Sequence, residues 1–369
     1  MMRKRERILF ALCLAAAATA LIPGNILARR ALSRNLFPSY SAAAATQPAP
    51  SIERLDPALA AIVPADAKVE DVASGMNWTE GPIWTRASYL LFAEIPSNSI
   101  RKLETDGRVG IFMQPSGYKG STPYAGPEPG SNGMTLDSQG RLTVAGHAER
   151  NVWRLESLDP HAAKTILADS YQGKALNSPN DVVYRSDGSL YFTDPPYGLP
   201  TQGDTDPSKQ LKVNGVYRIP AARDQKPGAP PERSKLQLLI TDLARPNGIA
   251  FSPDEKFLYV NNTEPKMYWM RYPVKKDGTL GKGELFYDDS SDIRIGKPDG
   301  MKVDQQGNVY SAGPGGILIF SPSGKHLGTI LLPYKTGNLN WGDTDARTLY
   351  ITCSGDIYRL RLKIPGVRP

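Results

Sequence analysis

Cysteine and histidine are scarce in this chain. Two cysteines and three histidines are all that its 369 residues contain. Cys13 sits in an N-terminal leader, which leaves Cys353 alone beyond it; an intramolecular disulfide and a thiolate metal centre are both excluded. No two of His147, His161 and His326 stand at ligand spacing, so a histidine-built zinc site is not expected. The G-x-S-x-G elbow, the glycine-rich phosphate loop and a reactive-cysteine context are absent as well, so serine-hydrolase, nucleotide and thiol chemistry have nothing to stand on. After Asp66 there is no long segment of 3.6-residue periodicity, which argues against a helical fold.

The excess positive charge is also confined. Residues 1–45 carry seven Lys/Arg and one acidic residue, a net +6, against +7 for the whole chain. The remainder is therefore close to neutral, and neither nucleic acid nor an anionic surface is expected as a partner. Arg3, Lys4, Arg5 and Arg7 precede a 15-residue apolar run from Ile8 to Ile22. A basic region followed by an apolar run too short to span a bilayer comfortably is the pattern of an export signal. Residues 1–45 are expected to be such a leader, the mature protein periplasmic or secreted, with an uncleaved anchor as the alternative. Leu12 before Cys13 is not the small residue that lipidation wants. Residues 46–66, rich in Pro and Ala, read as a linker, and residues 67–369 as one domain.

What that domain does contain is a repeated phrase. An oxygen-bearing side chain opens a strand, a turn and a second strand at Glu80-Gly-Pro-Ile-Trp, Asn132-Gly-Met-Thr-Leu-Asp, Asn180-Asp-Val-Val-Tyr, Asn247-Gly-Ile-Ala-Phe, Asp299-Gly-Met-Lys-Val-Asp and Asn338-Leu-Asn-Trp. The starts lie 52, 48, 67, 52 and 39 residues apart, a period that marks repeat architectures. In the second copy Met134, Leu136, Leu142 and Val144 alternate with small or polar residues around Asp137-Ser-Gln-Gly140; Asn151–Leu155 and Lys164–Ala168 supply two further strands. Ser186-Asp-Gly188, Ser252-Pro-Asp-Glu-Lys and Gln305-Gln-Gly307 do the turning elsewhere. Four-stranded units at this period favour radial closure over a β-sandwich. The expected fold is all-β: a six-bladed β-propeller whose last blade has only three strands of its own. Lys68–Ala73 is expected to close the ring as its missing outer strand.

Radial symmetry brings the six leading residues together on one rim, beside Glu94, His147, Asp194, Asn262 and Gly313. The long loops Gln114–Ser131 and Pro195–Asn214 open on the same side, and loops of that length are usually functional; Ala221–Ser234 falls on the opposite rim. Asn-Gly and Asp-Gly alone are common turn dipeptides, but six leading oxygens at equivalent positions point to a shared site. Carboxylate and amide oxygens together suit Ca²⁺ or another hard divalent cation. An ion with open positions can polarise a carbonyl and activate water. Trp84, Trp153, Trp269 and Trp341 read as blade packing.

At these residues the chain resembles the gluconolactonase/regucalcin-like (SGL) six-bladed propellers. The matching phrases are Thr79-Glu-Gly-Pro-Ile-Trp84, Asn177-Ser-Pro-Asn-Asp181 with Phe192-Thr-Asp-Pro-Pro-Tyr-Gly198, Arg245-Pro-Asn-Gly-Ile-Ala-Phe-Ser-Pro-Asp254 and Pro298-Asp-Gly-Met-Lys-Val-Asp304. The resemblance implies one catalytic divalent cation, Ca²⁺ foremost with Mg²⁺, Mn²⁺ or Zn²⁺ as alternatives, held by Glu80, Asn247 and Asp299, with Asn180 as ligand or substrate contact. It implies a metal-dependent lactonase acting on a small-molecule lactone, with a sugar lactone such as gluconolactone as default. Asp299 and Glu80 would be catalytic; Asn132, His147, Asn180, Asp194 and Tyr197 would meet the substrate. The bacterial gluconolactonase branch often has Cys-Glu-His where this chain has Ala145-Gly146-His147, and that lost acid bears on substrate choice. Other ester or organophosphate hydrolysis, or a non-catalytic calcium- or partner-binding propeller, are the competing readings. A monomer is expected.

Overall fold

Turn chemistry and strand alternation together write the blades. In the computed structural model, which describes residues 48–221 and 236–368, the turn glycines Gly140, Gly188 and Gly307 adopt φ of 79°, 87° and 85°. This left-handed region is one that only glycine enters freely. Each glycine closes a tight hairpin, and Leu136 then faces Leu142 while Met134 faces Val144 across the pair. Asp137 fixes its turn by accepting from the backbone N–H groups of Gln139 and Arg141 at 3.0 and 2.9 Å.

Six antiparallel sheets of at least four strands result. In chain order their innermost strands are Thr79–Trp84, Met134–Leu136, Val182–Tyr184, Pro246–Phe251, Met301–Val303 and Thr336–Gly342, which we number as blades 1 to 6. The apolar residues separate into six clusters, and each spans one blade interface. One cluster joins Ile83, Leu91 and Met113 of blade 1 to Met134, Val144 and Trp153 of blade 2. Another joins Leu90 and Phe92 of blade 1 to Tyr350 and Ile357 of blade 6, closing the circle. Trp153, Trp269 and Trp341 are buried in these interfaces, and Trp84 stacks on Tyr350 with centroids 5.5 Å apart.

Blade 6 is completed as expected. Glu70–Ala73 pairs with Asp356–Arg361, with Asp71 opposite Tyr358. Because the first-blade strand Thr79–Trp84 follows a few residues later, one short segment is tied to both the last blade and the first.

The preceding segment departs from the linker reading. Ser51–Arg54 is a fifth strand on blade 5, paired with His326–Leu331 with Ile52 opposite Ile330. A single 3₁₀ turn, Pro57–Ala61, follows, capped by the Asp56 carboxylate accepting from Ala58 N at 2.8 Å. Leu59, Ile62 and Val63 pack into the blade 5–6 interface. Composition misled here because Pro and Ala flank the few apolar residues that carry the docking. The physical gain is coverage of an exposed sheet edge. The leader at residues 1–45 lies outside the described residues, as does the Ala221–Ser234 excursion apart from Ala221. No helix among the described residues is long and apolar enough to cross a membrane.

Truncations measure both docked segments. Each buried Leu, Ile or Val contributes about 1.5–3 kcal/mol. Removal of residues 1–47 should therefore leave the melting temperature unchanged. Removal through Asp66 should lower it by several degrees, and removal through Ala73 should lower it further by opening blade 6. Coincident thermal melts by circular dichroism for the three truncations would overturn this account.

Candidate active site at the propeller axis

The leading residue of each innermost strand sits in a local irregularity of its hairpin. In blade 2 Asn132 N donates to Ala145 O while Ala145 N donates to Gly133 O; Asn180, Thr193 and Asp181 repeat this in blade 3, and Asp299, Ala312 and Gly300 in blade 5. Two residues thus oppose one, as in a β-bulge. In blades 1, 4 and 6 the ladder shifts register between Glu80 and Ile83, Pro246 and Ile249, and Thr336 and Leu339. Bulges re-aim side chains. Here they carry Glu80, Asn132, Asn180, Asn247 and Asp299 to the wall of one cavity of about 500 Å³.

The glycines that follow the leading residues are explained by proximity, not by turns. A Cβ at Gly81 would lie 2.3 Å from Asn132 O, at Gly133 2.5 Å from Asn180 O, and at Gly248 2.2 Å from Asp299 O. In blades 1, 2 and 4 the innermost strand is backed against the next blade's leading carbonyl, while Gly300 of blade 5 and Gly337 of blade 6 meet the leading side chains of Asn338 and Glu80. Blade 3 has Asp181 at this place, and its buried carboxylate meets Lys302 Nζ at 3.4 Å.

The axial carboxyls are electrostatically exposed although buried from water. Glu80 accepts from Gly81 N at 3.0 Å, and burial pushes its pKa up to about 8. Burial raises Asp299 well above the usual carboxylate range too, with Glu80 and Asp181 adding to the effect and an Asn247 hydrogen bond opposing it. Among the described residues no Lys or Arg pairs with either carboxyl. Beside them Asn247 Oδ1 is buried without a hydrogen-bond donor. An orphaned acceptor next to two carboxyls lacking a counter-charge fits a hard cation. Among the described residues no three His, Cys, Asp or Glu side chains group closely enough to hold an ion by themselves, so amide oxygens would have to complete the set.

The expected substrate contacts divide. Asn132, Asn180 and Tyr197 line the cavity; burial raises the Tyr197 phenol, and the Thr263 hydroxyl opposes that shift. His147 is fully buried behind the wall, with Nδ1 2.9 Å from Asn132 Nδ2, and burial depresses its pKa to about 3. It supports Asn132 from behind and is not part of the cavity lining. Asp194 is also corrected. Its two oxygens accept from Asn177 N and Ser178 N, both at 2.8 Å, so it anchors the Asn177-Ser-Pro-Asn180 turn and does not line the cavity. Asn338 sits below the wall, donating to Glu80.

Glu128, Gln202, Trp78, Ile295, Lys297 and Lys335 also line the cavity, and none was anticipated. Glu128 and Gln202 lie in the two long loops, so loop length was the signal that could have found them. The acid missing from Ala145-Gly146-His147 was a second hint. Position 146 has no room for a side chain, since a Cβ there would lie 2.2 Å from Asn151 Oδ1. A second cavity of about 500 Å³ opens at the opposite end of the axis and includes Arg141, Arg154 and Arg185. Those cations are engaged by Asp137, Glu156, Asp187 and Glu255, and the converging oxygens are not there.

Known proteins share this architecture and sequence. A gluconolactonase of Zymomonas mobilis is 37% identical over 327 residues, covering 85% of this chain and 87% of that protein. The structure of a gluconolactonase from Xanthomonas campestris superposes with a TM-score of 0.70 at 30% identity, covering 86% of this chain and 98% of that one. A calcium-binding regucalcin from Agrobacterium tumefaciens, 20% identical with a TM-score of 0.61 over 82% of this chain and 95% of that one, shares the fold. Residues 78–355 match the SMP-30/Gluconolactonase/LRE-like model, and with the propeller and its axial oxygens in view the chain belongs to that family.

Proposed function

We propose that this protein is a divalent-metal-dependent lactonase, with a sugar lactone of the gluconolactone type as its substrate. The observation that carries the reading is the orphaned Asn247 Oδ1 beside the buried Glu80 and Asp299, open to a cavity of about 500 Å³. That volume suits a small ring substrate. The gluconolactonases of Zymomonas mobilis and Xanthomonas campestris support the substrate class.

Glu80, Asn180, Asn247 and Asp299 would hold the cation, Ca²⁺ being the natural match for an all-oxygen set. Once bound, the cation supplies Lewis-acid polarisation of the lactone carbonyl. Asp299 takes a proton from the attacking water, and Glu80 supplies negative charge that fixes the site. Asn132, held by His147 from behind, and Asn180 present amide groups to the substrate hydroxyls, while Tyr197 offers a phenol. We further propose that residues 1–45 direct export, as their basic and apolar regions suggest; N-terminal sequencing of the protein from the extracytoplasmic fraction would check it.

Chelation should abolish acid release from a lactone panel while leaving the β circular-dichroism spectrum intact, because six apolar interfaces and not the ion hold the ring. Full activity in chelator would overturn the metal reading.

The stripped protein should also lose stability as pH rises. Glu80 has a folded pKa of about 8, above its ordinary 4.5, so between these values the folded state binds the extra proton. Stability is then greatest near the lower limit and declines toward the upper one. Saturating Ca²⁺, which binds the ionised form, should flatten that slope. A calcium-independent melting profile between pH 5 and 8 would contradict it; these limits are roughly those two pKa values.

Asp299→Asn keeps an oxygen but removes a charge and a proton acceptor. At saturating Ca²⁺ its kcat should remain down by about 10²-fold, the scale of a positioned general base. Asn247→Ala, which loses only a neutral oxygen, should regain much of its rate. Full recovery of Asp299→Asn would show that it serves as ligand alone.

A further inference from the structure

The cavity contains a third carboxyl that the metal reading leaves without a task. Glu128 belongs to the loop between blades 1 and 2, four residues before Asn132. That loop is firmly tied. Asn98 Nδ2 donates to Tyr118 O at 2.7 Å, Gly117 N to Asn98 Oδ1 at 2.8 Å, Tyr118 N to Pro129 O at 2.8 Å and Gly130 N to Ile95 O at 3.1 Å. It also docks on the second long loop, where Tyr124 donates to Gly198 O and Gln202 Nε2 donates to Glu128 Oε1 at 2.9 Å. Glu128 is therefore presented by a built wall.

Its other oxygen lies 3.1 Å from His147 Nε2. The amide N–H of Asn132 donating to Nδ1 puts the imidazole proton on Nε2. Nevertheless Nε2 makes no aligned hydrogen bond, so the contact is close but oblique, and Glu128 lines the cavity. The two side chains that meet the carboxyl are the Gln202 amide, which is neutral, and an imidazole whose pKa burial depresses to about 3; Glu264, Lys297 and Lys335 line the same cavity. Among the described residues no Lys or Arg pairs with it. The other ionisable groups that sense it are Glu80, Asp299 and Tyr124, none of which favours its ionised form. Burial raises all three carboxyls, Glu128 to about 8, although the Gln202 hydrogen bond opposes the shift there. What separates them is their neighbours: Glu80 and Asp299 flank the orphaned Asn247 oxygen, where a cation would ionise them, whereas Glu128 contacts His147 and Gln202.

Lactone opening needs both a base and an acid. The base takes a proton from water as the new C–O bond forms, and an aliphatic ring oxygen leaves readily only if it gains a proton as its bond to the carbonyl carbon breaks. Two titratable groups held in contrasting environments are the arrangement that divides such roles.

Resting on the lactonase reading above, we propose that Glu128 is the catalytic proton donor to the leaving ring oxygen. One water is added, the ring C–O bond is broken, and the donated proton ends on the new hydroxyl. Glu128 is reprotonated by the proton that Asp299 removed from water, returning both groups to their starting states. Gln202 and His147 act as positioning residues that hold the acid.

The test compares leaving groups in Glu128→Gln, which keeps the shape and the acceptor for Gln202. Glucono-δ-lactone expels an aliphatic alkoxide; dihydrocoumarin expels a phenolate, which needs no donated proton because its conjugate acid has a pKa of about 10. With wild type and variant at saturating Ca²⁺, kcat on gluconolactone should fall by about 10²-fold. On dihydrocoumarin it should stay within about three-fold, which also reports an intact fold and metal site. The alkaline limb of the wild-type kcat profile on gluconolactone should vanish in the variant. Equal losses on both lactones, or a raised KM with unchanged kcat, would overturn the assignment. A wild-type protein that opens neither lactone would instead refute the lactonase reading itself.

Discussion

Everything at this site depends on how tightly the six innermost strands crowd around the axis. The strand of one blade runs so close to the leading carbonyl of the next that a single methyl group at Gly81, Gly133 or Gly248 would collide with backbone. That crowding is relieved by an irregular hairpin start in every blade, and the same irregularity swings the leading side chain inward. Close packing of backbones and convergence of oxygens are one geometrical event. Protein interiors tolerate little slack, so the positions of Glu80, Asn247 and Asp299 are fixed by blade interfaces and not by local loops.

Such convergence carries an electrostatic cost. Carboxyls withdrawn from water with no cation beside them favour their protonated forms, as Glu80 and Asp299 do. The propeller's own packing supplies the opposing energy through six apolar interfaces. A site strained in this way is poised to gain from any divalent charge placed among its oxygens. Lys302 shows the alternative: a side-chain cation answers the buried Asp181 directly.

The rim above the axis follows different rules. Two long loops dock on one another through Tyr124 with Gly198 and Gln202 with Glu128, and they add an acid, an amide and Tyr197 to the cavity. The axial set belongs to the repeat, whereas the rim set comes from loops outside it. Gly146 has no space for an acid, yet Glu128 arrives beside His147 from another segment.

The sequence by itself determined the repeat, the strand hairpins, the turn glycines and the five leading residues that line the cavity, because each is a short-range pattern with a periodic signature. It also pointed to Lys68–Ala73 as the outer strand of the last blade, and Glu70–Ala73 pairs there. Docking of Ser51–Arg54 on blade 5 was not legible, since four residues carry too little periodicity and their partner lies far along the chain. Asp194 and His147 were expected in the cavity from strand ends alone; which way a rim side chain turns depends on the loops crossing it, and Gly198 passes directly over His147. For Glu128 the sequence offered only the length of its loop, not its place in the cavity. A loop residue acquires a partner only when another loop folds against it, and that juxtaposition is decided by tertiary structure.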